Sequence, residues 1–172
     1  MRRTILLAAL IAGLASPAAA QFPFTPPPAP PSEAQKAWEA GQDAYRAWYG
    51  AQRGVKTTKS GLMYKRLSRA KKDEPHPPKG SVVTIHYSGQ LITGDVFDQT
   101  ERGEGDPATF PLDRLIPGWQ EGVPLMRVGE VFEFVIPADL AYGPRAVGGI
   151  PANSTLVFQI RLLDAPEGID KL

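Results

Sequence analysis

The residues with reactive side chains are few. There is no cysteine, which excludes a thiolate nucleophile, a disulfide and a thiolate-bound metal. The two histidines, His76 and His86, are too few for a histidine-rich metal site. His86 falls on the polar side of a strand pattern with no nucleophile beside it, and such a histidine is more often a structural hydrogen bonder than a base. His76 lies in the run Pro75-His76-Pro77-Pro78-Lys79-Gly80, a turn that places it in solvent. No nucleophile elbow, phosphate-binding glycine loop, His-Glu-x-x-His helix or dinucleotide fingerprint occurs. What remains is a series of aromatic and aliphatic side chains in the second half, at a recognisable spacing.

Strands must position that set. Val82 to Ser88 alternates with Val83, Ile85 and Tyr87 on one side. Val131 to Ile136 puts Phe132, Phe134 and Ile136 on one face, and Thr155 to Leu163 does the same with Leu156, Phe158, Ile160 and Leu162. Leu62 to Leu67 is a shorter strand, and Lys65, Arg66, Arg69, Lys71 and Lys72 around it read as a solvated face. Between the strands, Ile116 to Val123 opens with Pro117 and is closed by Pro124, so at most two helical turns fit. Runs of strands with only a short helix between them predict an α+β fold with an antiparallel sheet, because parallel crossovers need longer helices.

The first half reads differently. Met1-Arg2-Arg3, the mostly apolar run from Ile5 to Leu14 and Ala18-Ala19-Ala20 predict a secretory signal peptide over residues 1–20. The apolar run is about half of the ~20 residues a bilayer span needs, and no other run is long enough, so the processed chain is expected to have no membrane span. Export to a periplasm is the expected address, with secretion to the medium left open. Residues 21–31, QFPFTPPPAPP, predict an extended polyproline leader, either a semi-rigid spacer or a docking motif. Ser32 to Gln52 predicts a helix with Ser32 as its cap. Ala34, Trp38, Gly41, Tyr45 and Trp48 form a stripe at helical spacing, to be buried either against the same chain's domain or against a second copy in a homodimer.

Composition sets the outer bounds. The 172 residues, 42% hydrophobic and 22% charged, suit one globular domain of ordinary size. Nineteen basic against eighteen acidic residues give a net charge of +1, too little for a cationic field that captures nucleic acid. Of the 18 prolines, Pro23, Pro26, Pro27, Pro28, Pro30 and Pro31 mark the leader, and Pro75, Pro77 and Pro78 mark the turn before the first core strand.

Taken in order, the blocks Val83-Thr-Ile-His-Tyr-Ser-Gly-Gln-Leu91, Gly94-Asp-Val-Phe-Asp98, Leu115-Ile-Pro-Gly-Trp-Gln-Glu-Gly122, Val128-Gly129, Ile136-Pro-Ala-Asp-Leu-Ala-Tyr-Gly143 and Ile150-Pro-Ala-Asn-Ser-Thr-Leu-Val-Phe158 resemble the FKBP-type peptidyl-prolyl cis-trans isomerase domain. The segment Gly54 to Tyr64 is similar to the lead-in of bacterial exported members. The resemblance runs over about residues 54 to 165, and the domain is set at 54–166 with a tail at 167–172. It implies a curved antiparallel sheet wrapped around one short helix, preceded here by an N-terminal helix over 32–53. It further implies a pocket that takes a prolyl side chain, with Trp119 as its floor. Tyr87, Phe97, Leu115, Ile116, Tyr142, Ile150 and Phe158 would be its walls and rim, and Asp98 its acid. The Ile116 amide and the Tyr142 hydroxyl would hydrogen-bond the peptide, with residues 138–151 as a flap. On this resemblance Asp98 and Tyr142 are the catalytic residues, and no metal or cofactor is needed. The partners implied are unfolded or partly folded polypeptides containing X-Pro bonds, with macrolide inhibitors as candidate ligands and no nucleic acid. A non-catalytic binding module or holdase using the same pocket and the N-terminal helix is the competing reading. The chain departs from the family pattern at Ala108, where an aromatic wall residue is common, in a longer loop from Gln99 to Asp106, and in a shorter flap from Pro144 to Gly149. These departures bear on inhibitor affinity and sequence preference.

Overall fold

Period-two alternation along the strands decides how the domain is layered. The computed structural model describes residues 30–70, 74, 76–100 and 106–165. The signal peptide, nearly all of the proline-rich leader, positions 101–105 of the 99–106 loop and the 167–172 tail lie outside the described residues. Described elements begin with helix α1 (Glu33–Gly50), followed by strands β1 (Lys56–Thr57), β2 (Met63–Ser68), β3 (Val82–Leu91), β4 (Val96–Gln99) and β5 (Ala108–Pro111). Helix α2 (Pro117–Gly122), β6 (Val131–Ile136) and β7 (Leu156–Asp164) complete them. All strand pairs are antiparallel in the order β1-β2-β6-β7-β3-β4, with β5 also on β3.

One face of this sheet wraps α2. Phe132, Phe134 and Ile136 of β6 and Leu156, Phe158, Ile160 and Leu162 of β7 are buried there with Val83, Ile85, Trp119 and Val123. The helix lies close because two of its positions lack side chains. A Cβ on Gly118 would come 2.5 Å from Ile136 Cγ2, and one on Gly122 would come 2.7 Å from Phe134 Cε1. Pro117 starts α2 at a position where its missing N–H costs nothing, and Val123 to Leu125 tighten into a 3-10 turn.

The alternate residues of the same strands face the other way and meet α1. Val135 and Val157 form a second apolar cluster with Tyr49, with Tyr45, Val55, Met63 and Ile92 packed around it. Ser32 caps α1 as expected, its hydroxyl accepting from the Gln35 N–H at 3.2 Å. The buried face differs from the expected stripe. Gln42 and Tyr49 are 2% and 4% exposed, whereas Trp48 is 58% exposed and Ala34 and Gly41 are also on the outside. The reason lies in what the helix meets, a strip of sheet and loop bearing polar groups. Gln42, Arg46 and Glu39 are therefore drawn inward by hydrogen bonds that a count of apolar residues does not register.

Candidate active site

The pocket is built on a split sheet edge. β5 pairs with β3 from Val82 to Ile85, and β4 pairs with it from Ser88 to Gln90, so two short strands share one side of a long one. Thr100 fills the break: its N–H donates to Tyr87 O at 3.0 Å and its hydroxyl accepts from Tyr87 N–H at 3.1 Å. That hydroxyl also lies 3.3 Å from His86 Nδ1, the only side-chain hydrogen bond His86 makes among the described residues. The break leaves Tyr87 facing inward between Phe97 on β4 and Phe110 on β5.

A cavity of about 330 Å³ opens there, lined by Tyr87, Phe97, Asp98, Phe110, Arg114, Leu115, Ile116, Trp119, Tyr142 and Phe158. Its rings meet edge to face: Trp119 and Phe158 at 5.1 Å and 90°, Tyr87 and Trp119 at 5.3 Å and 82°, Phe97 and Phe158 at 5.6 Å and 85°. In this arrangement the positive ring edges point at the negative faces, which fixes each ring against its neighbour. Gly89 permits it, because a Cβ there would come 2.5 Å from Phe158 Cε1 and 2.9 Å from two Phe97 atoms. Trp119 is 5% exposed and its indole N–H has no partner among the described residues, so its role at the base of the cavity is one of shape.

Polar groups are sparse and specifically placed. The Tyr87 hydroxyl donates to Asp98 Oδ2 at 2.7 Å. Burial first, then the hydrogen bond and the charge of Asp98, push the Tyr87 phenol well above its ordinary value, so it stays a donor at every physiological pH. Ile116 stands just before α2 and its carbonyl accepts from Trp119 N–H at 2.9 Å and Gln120 N–H at 3.2 Å, while its own N–H is unpaired among the described residues. Gln120 fixes the approach to it, its Nε2 donating to Leu115 O at 2.7 Å. The Tyr142 hydroxyl likewise makes no hydrogen bond to a described residue. The Ile116 N–H and the Tyr142 hydroxyl are thus donors on the cavity wall that have no partner among the described residues.

Of the residues expected in the site, Tyr87, Phe97, Asp98, Leu115, Ile116, Trp119, Tyr142 and Phe158 are brought together. Ile150 is not among the residues lining the cavity; near the end of the flap it turns inward, 7% exposed in the main core, with its N–H on Val147 O at 2.8 Å. Ala108 pairs with Ile85 and does not line the cavity. Phe110 and Arg114 do line it and were not among the expected residues. The register of β5 on β3 brings Phe110 there, and the 3-10 turn Leu112–Arg114 that follows β5 brings Arg114. His76, expected in solvent, is exposed, with Nδ1 3.0 Å from Met126 O. Among the described residues no cluster of three His, Cys, Asp or Glu side chains could hold a metal, and no helix is long and apolar enough to cross a membrane.

Comparison with known proteins points the same way. A family model described as FKBP-type peptidyl-prolyl cis-trans isomerase matches residues 73–163. The chain is 46% identical over 124 residues to the FKBP-type peptidyl-prolyl cis-trans isomerase FkpA of Aeromonas hydrophila, covering 70% of this chain and 44% of that one. It is 44% identical over 126 residues to the outer membrane protein MIP of Legionella longbeachae, covering 73% of this chain and 53% of that one. The chain thus spans about half the length of these curated relatives. Among solved structures, a peptidyl-prolyl cis-trans isomerase from Pseudomonas syringae pv. tomato superposes with a TM-score of 0.68 at 32% identity, over 75% of this chain and 93% of that one.

Proposed function

The chain belongs to the FKBP-type peptidyl-prolyl cis-trans isomerase family, and from that premise we propose that it accelerates rotation about X-Pro bonds in polypeptides, with the aromatic cavity as the seat of the prolyl ring. The observation that carries the reading is the pairing of a ring-lined cavity with two unspent donors, the Ile116 N–H and the Tyr142 hydroxyl. The chemical problem is a barrier of about 18–20 kcal/mol that arises from amide resonance and makes uncatalysed X-Pro exchange take tens of seconds or longer. Resonance separates charge in the planar ground state. Walls made of Trp119, Phe97, Phe110 and Phe158 offer that charge no solvation, whereas the twisted transition state has lost it and suits the cavity better. The two donors hold the flanking backbone in a turn as the bond rotates. No covalent intermediate is formed.

Asp98 and Tyr142 then have different tasks. Asp98 accepts from the Tyr87 hydroxyl and fixes that ring against Trp119, and Tyr142 donates to the bound peptide. Leu115, Ile116 and Phe158 complete the contact surface, with Ile150 anchoring the end of the flap in the core. A macrolide inhibitor would compete for the same cavity. For self-association, α1 offers the ring of Trp48, since its other face is occupied by its own domain. The expected workplace is outside the cytoplasm, a reading supported by the pattern of residues 1–20 and by the outer-membrane name of the Legionella relative. The test is exchange spectroscopy or a protease-coupled assay on an X-Pro peptide. Trp119→Ala and Tyr142→Ala should each reduce the rate with circular dichroism retained, and a loss of dichroism would instead mark these residues as structural.

A further inference from the structure

The turn from Ala152 to Thr155 ends the flap and leads into β7. Apart from Tyr49, whose hydroxyl donates to Glu133 at 3.0 Å, every side chain of α1 that hydrogen-bonds to the domain body ends on this turn. Trp38 Nε1 donates to Ala152 O at 3.2 Å, and Glu39 Oε1 accepts from Asn153 Nδ2 at 2.6 Å. Gln42 Oε1 accepts from Thr155 N–H at 2.9 Å, and Arg46 donates to Thr155 Oγ1 at 2.8 Å. Positions 38, 39, 42 and 46 lie on one side of the helix, and all four side chains end on three residues of this turn, Ala152, Asn153 and Thr155.

That turn reaches the pocket through Asn153. It is the only non-glycine residue with a positive φ among the described residues, at 57°, and in this conformation its N–H donates to Gly143 O at 2.8 Å. Asparagine tolerates the left-handed region better than most residues, but the backbone still needs outside support to keep it there. Gly143 directly follows Tyr142, a wall residue of the cavity. A continuous path therefore runs from Glu39, through the Asn153 side chain and backbone, to Gly143 and Tyr142. Ser154 secures the adjoining arm of the flap, its hydroxyl donating to Pro151 O at 2.6 Å.

We propose that Asn153 is a positioning residue for the isomerase pocket, and that α1, by gripping it through Glu39 and Gln42, sets the place of Tyr142 and the flap. The helix acts from the opposite face of the sheet and touches no substrate. This inference rests on the isomerase reading for its kinetic consequence, and on geometry alone for its structural one.

Asn153→Gly is the discriminating variant, because glycine keeps the left-handed backbone and the bond to Gly143 while deleting only the side chain that reaches Glu39. Gln42→Ala tests the same grip from the helix, and Glu39→Gln, which retains an acceptor for Asn153, is the conservative control. In the full protein, Asn153→Gly and Gln42→Ala should raise KM for an X-Pro peptide by about 3- to 10-fold with kcat changed less than about 2-fold, and Glu39→Gln should stay near wild type. Amide resonances of Tyr142 and Gly143 should shift in both disrupting variants, and the Val147 and Ile150 amides, which bond across the flap, should exchange faster with solvent. Wild-type KM together with unshifted Tyr142 and Gly143 resonances would overturn the proposal, as would activity that falls only in step with the unfolded fraction. If the wild-type protein failed to accelerate X-Pro exchange, the isomerase reading would fall. The resonance shifts would still decide whether the helix positions the flap.

Discussion

Adding one methyl group at Gly89 probes whether the rings of the cavity are the catalytic surface. In β3 this residue lies opposite Asp98 on one side and Phe158 on the other. The new Cβ would sit 2.5 Å from Phe158 Cε1 and 2.9 Å from Phe97 Cε2 and Cζ. Carbon atoms rest about 3.5–4.0 Å apart, so both rings must withdraw by roughly 1 Å. Behind them is the packed core, and in front is the cavity of about 330 Å³, so the rings move into the space proposed for the prolyl group. Overpacking of this kind costs about 1–3 kcal/mol, while replacing glycine by alanine returns about 0.4–1 kcal/mol through the unfolded chain. A net loss of about 1–2 kcal/mol should lower the melting temperature by roughly 3–8 °C and leave the protein folded at 25 °C. Activity should suffer out of proportion. We expect kcat/KM on an X-Pro peptide to fall at least about 10-fold, equivalent to about 1.4 kcal/mol of transition-state stabilisation, with unchanged circular dichroism. A Gly89→Ala protein that melts lower but keeps wild-type kcat/KM would refute the assignment of Phe97 and Phe158 to the catalytic wall.

Two further outcomes follow from charge and protonation. Arg114 lines the cavity with no ion pair among the described residues, while Asp98 is engaged by Tyr87, so peptides with Glu beside the proline should exceed those with Lys in kcat/KM by about 2- to 5-fold at low salt. Arg114→Glu should reverse that order and leave neutral peptides alone, and an identical ratio in both proteins would remove Arg114 from substrate selection. Burial, with the charge and hydrogen bond of Glu133, raises the Tyr49 phenol far above its ordinary 10.0. A raised folded value contributes stability that is complete below pH of about 10 and is lost as pH climbs toward the folded value, because the unfolded chain gives up its proton first. Thermal melts should therefore drop from about pH 10 upward, and Tyr49→Phe should melt lower at neutral pH yet decline less steeply above pH 10. Parallel declines in the two proteins would show that Tyr49 is not the group responsible.

Much of the fold is legible because β3, β6 and β7 alternate cleanly and Pro117 and Pro124 bracket α2. A period of two survives translation into a sheet because each residue's face depends only on its own strand. The pocket is legible through its blocks, since Phe97, Asp98, Trp119 and Tyr142 stand in motifs of fixed spacing. Phe110 and Arg114 are not, because their place depends on β5 sharing an edge of β3 with β4, a pairing that short strands do not announce. Ile150 turns inward as a result of the Val147 bridge, a local hydrogen bond with no signature in residue type. The inward face of α1 is hidden for a different reason. Gln42, Glu39 and Arg46 look like solvent residues, and only the polar groups opposite them make burial favourable.

The claim at the centre of this account is that the cavity between α2, β3 and β4 binds the prolyl group and lowers the barrier to its rotation. Exchange spectroscopy on an X-Pro tetrapeptide, with the full protein at catalytic concentration, measures this directly, because it reads cis-trans interconversion without a coupled protease. The account predicts exchange much faster than the spontaneous rate, chemical-shift changes confined to residues around Trp119, Tyr142 and Phe158, and loss of the acceleration in Trp119→Ala with the fold intact. Spontaneous exchange in the presence of folded wild-type protein, or acceleration that Trp119→Ala leaves untouched, would contradict it.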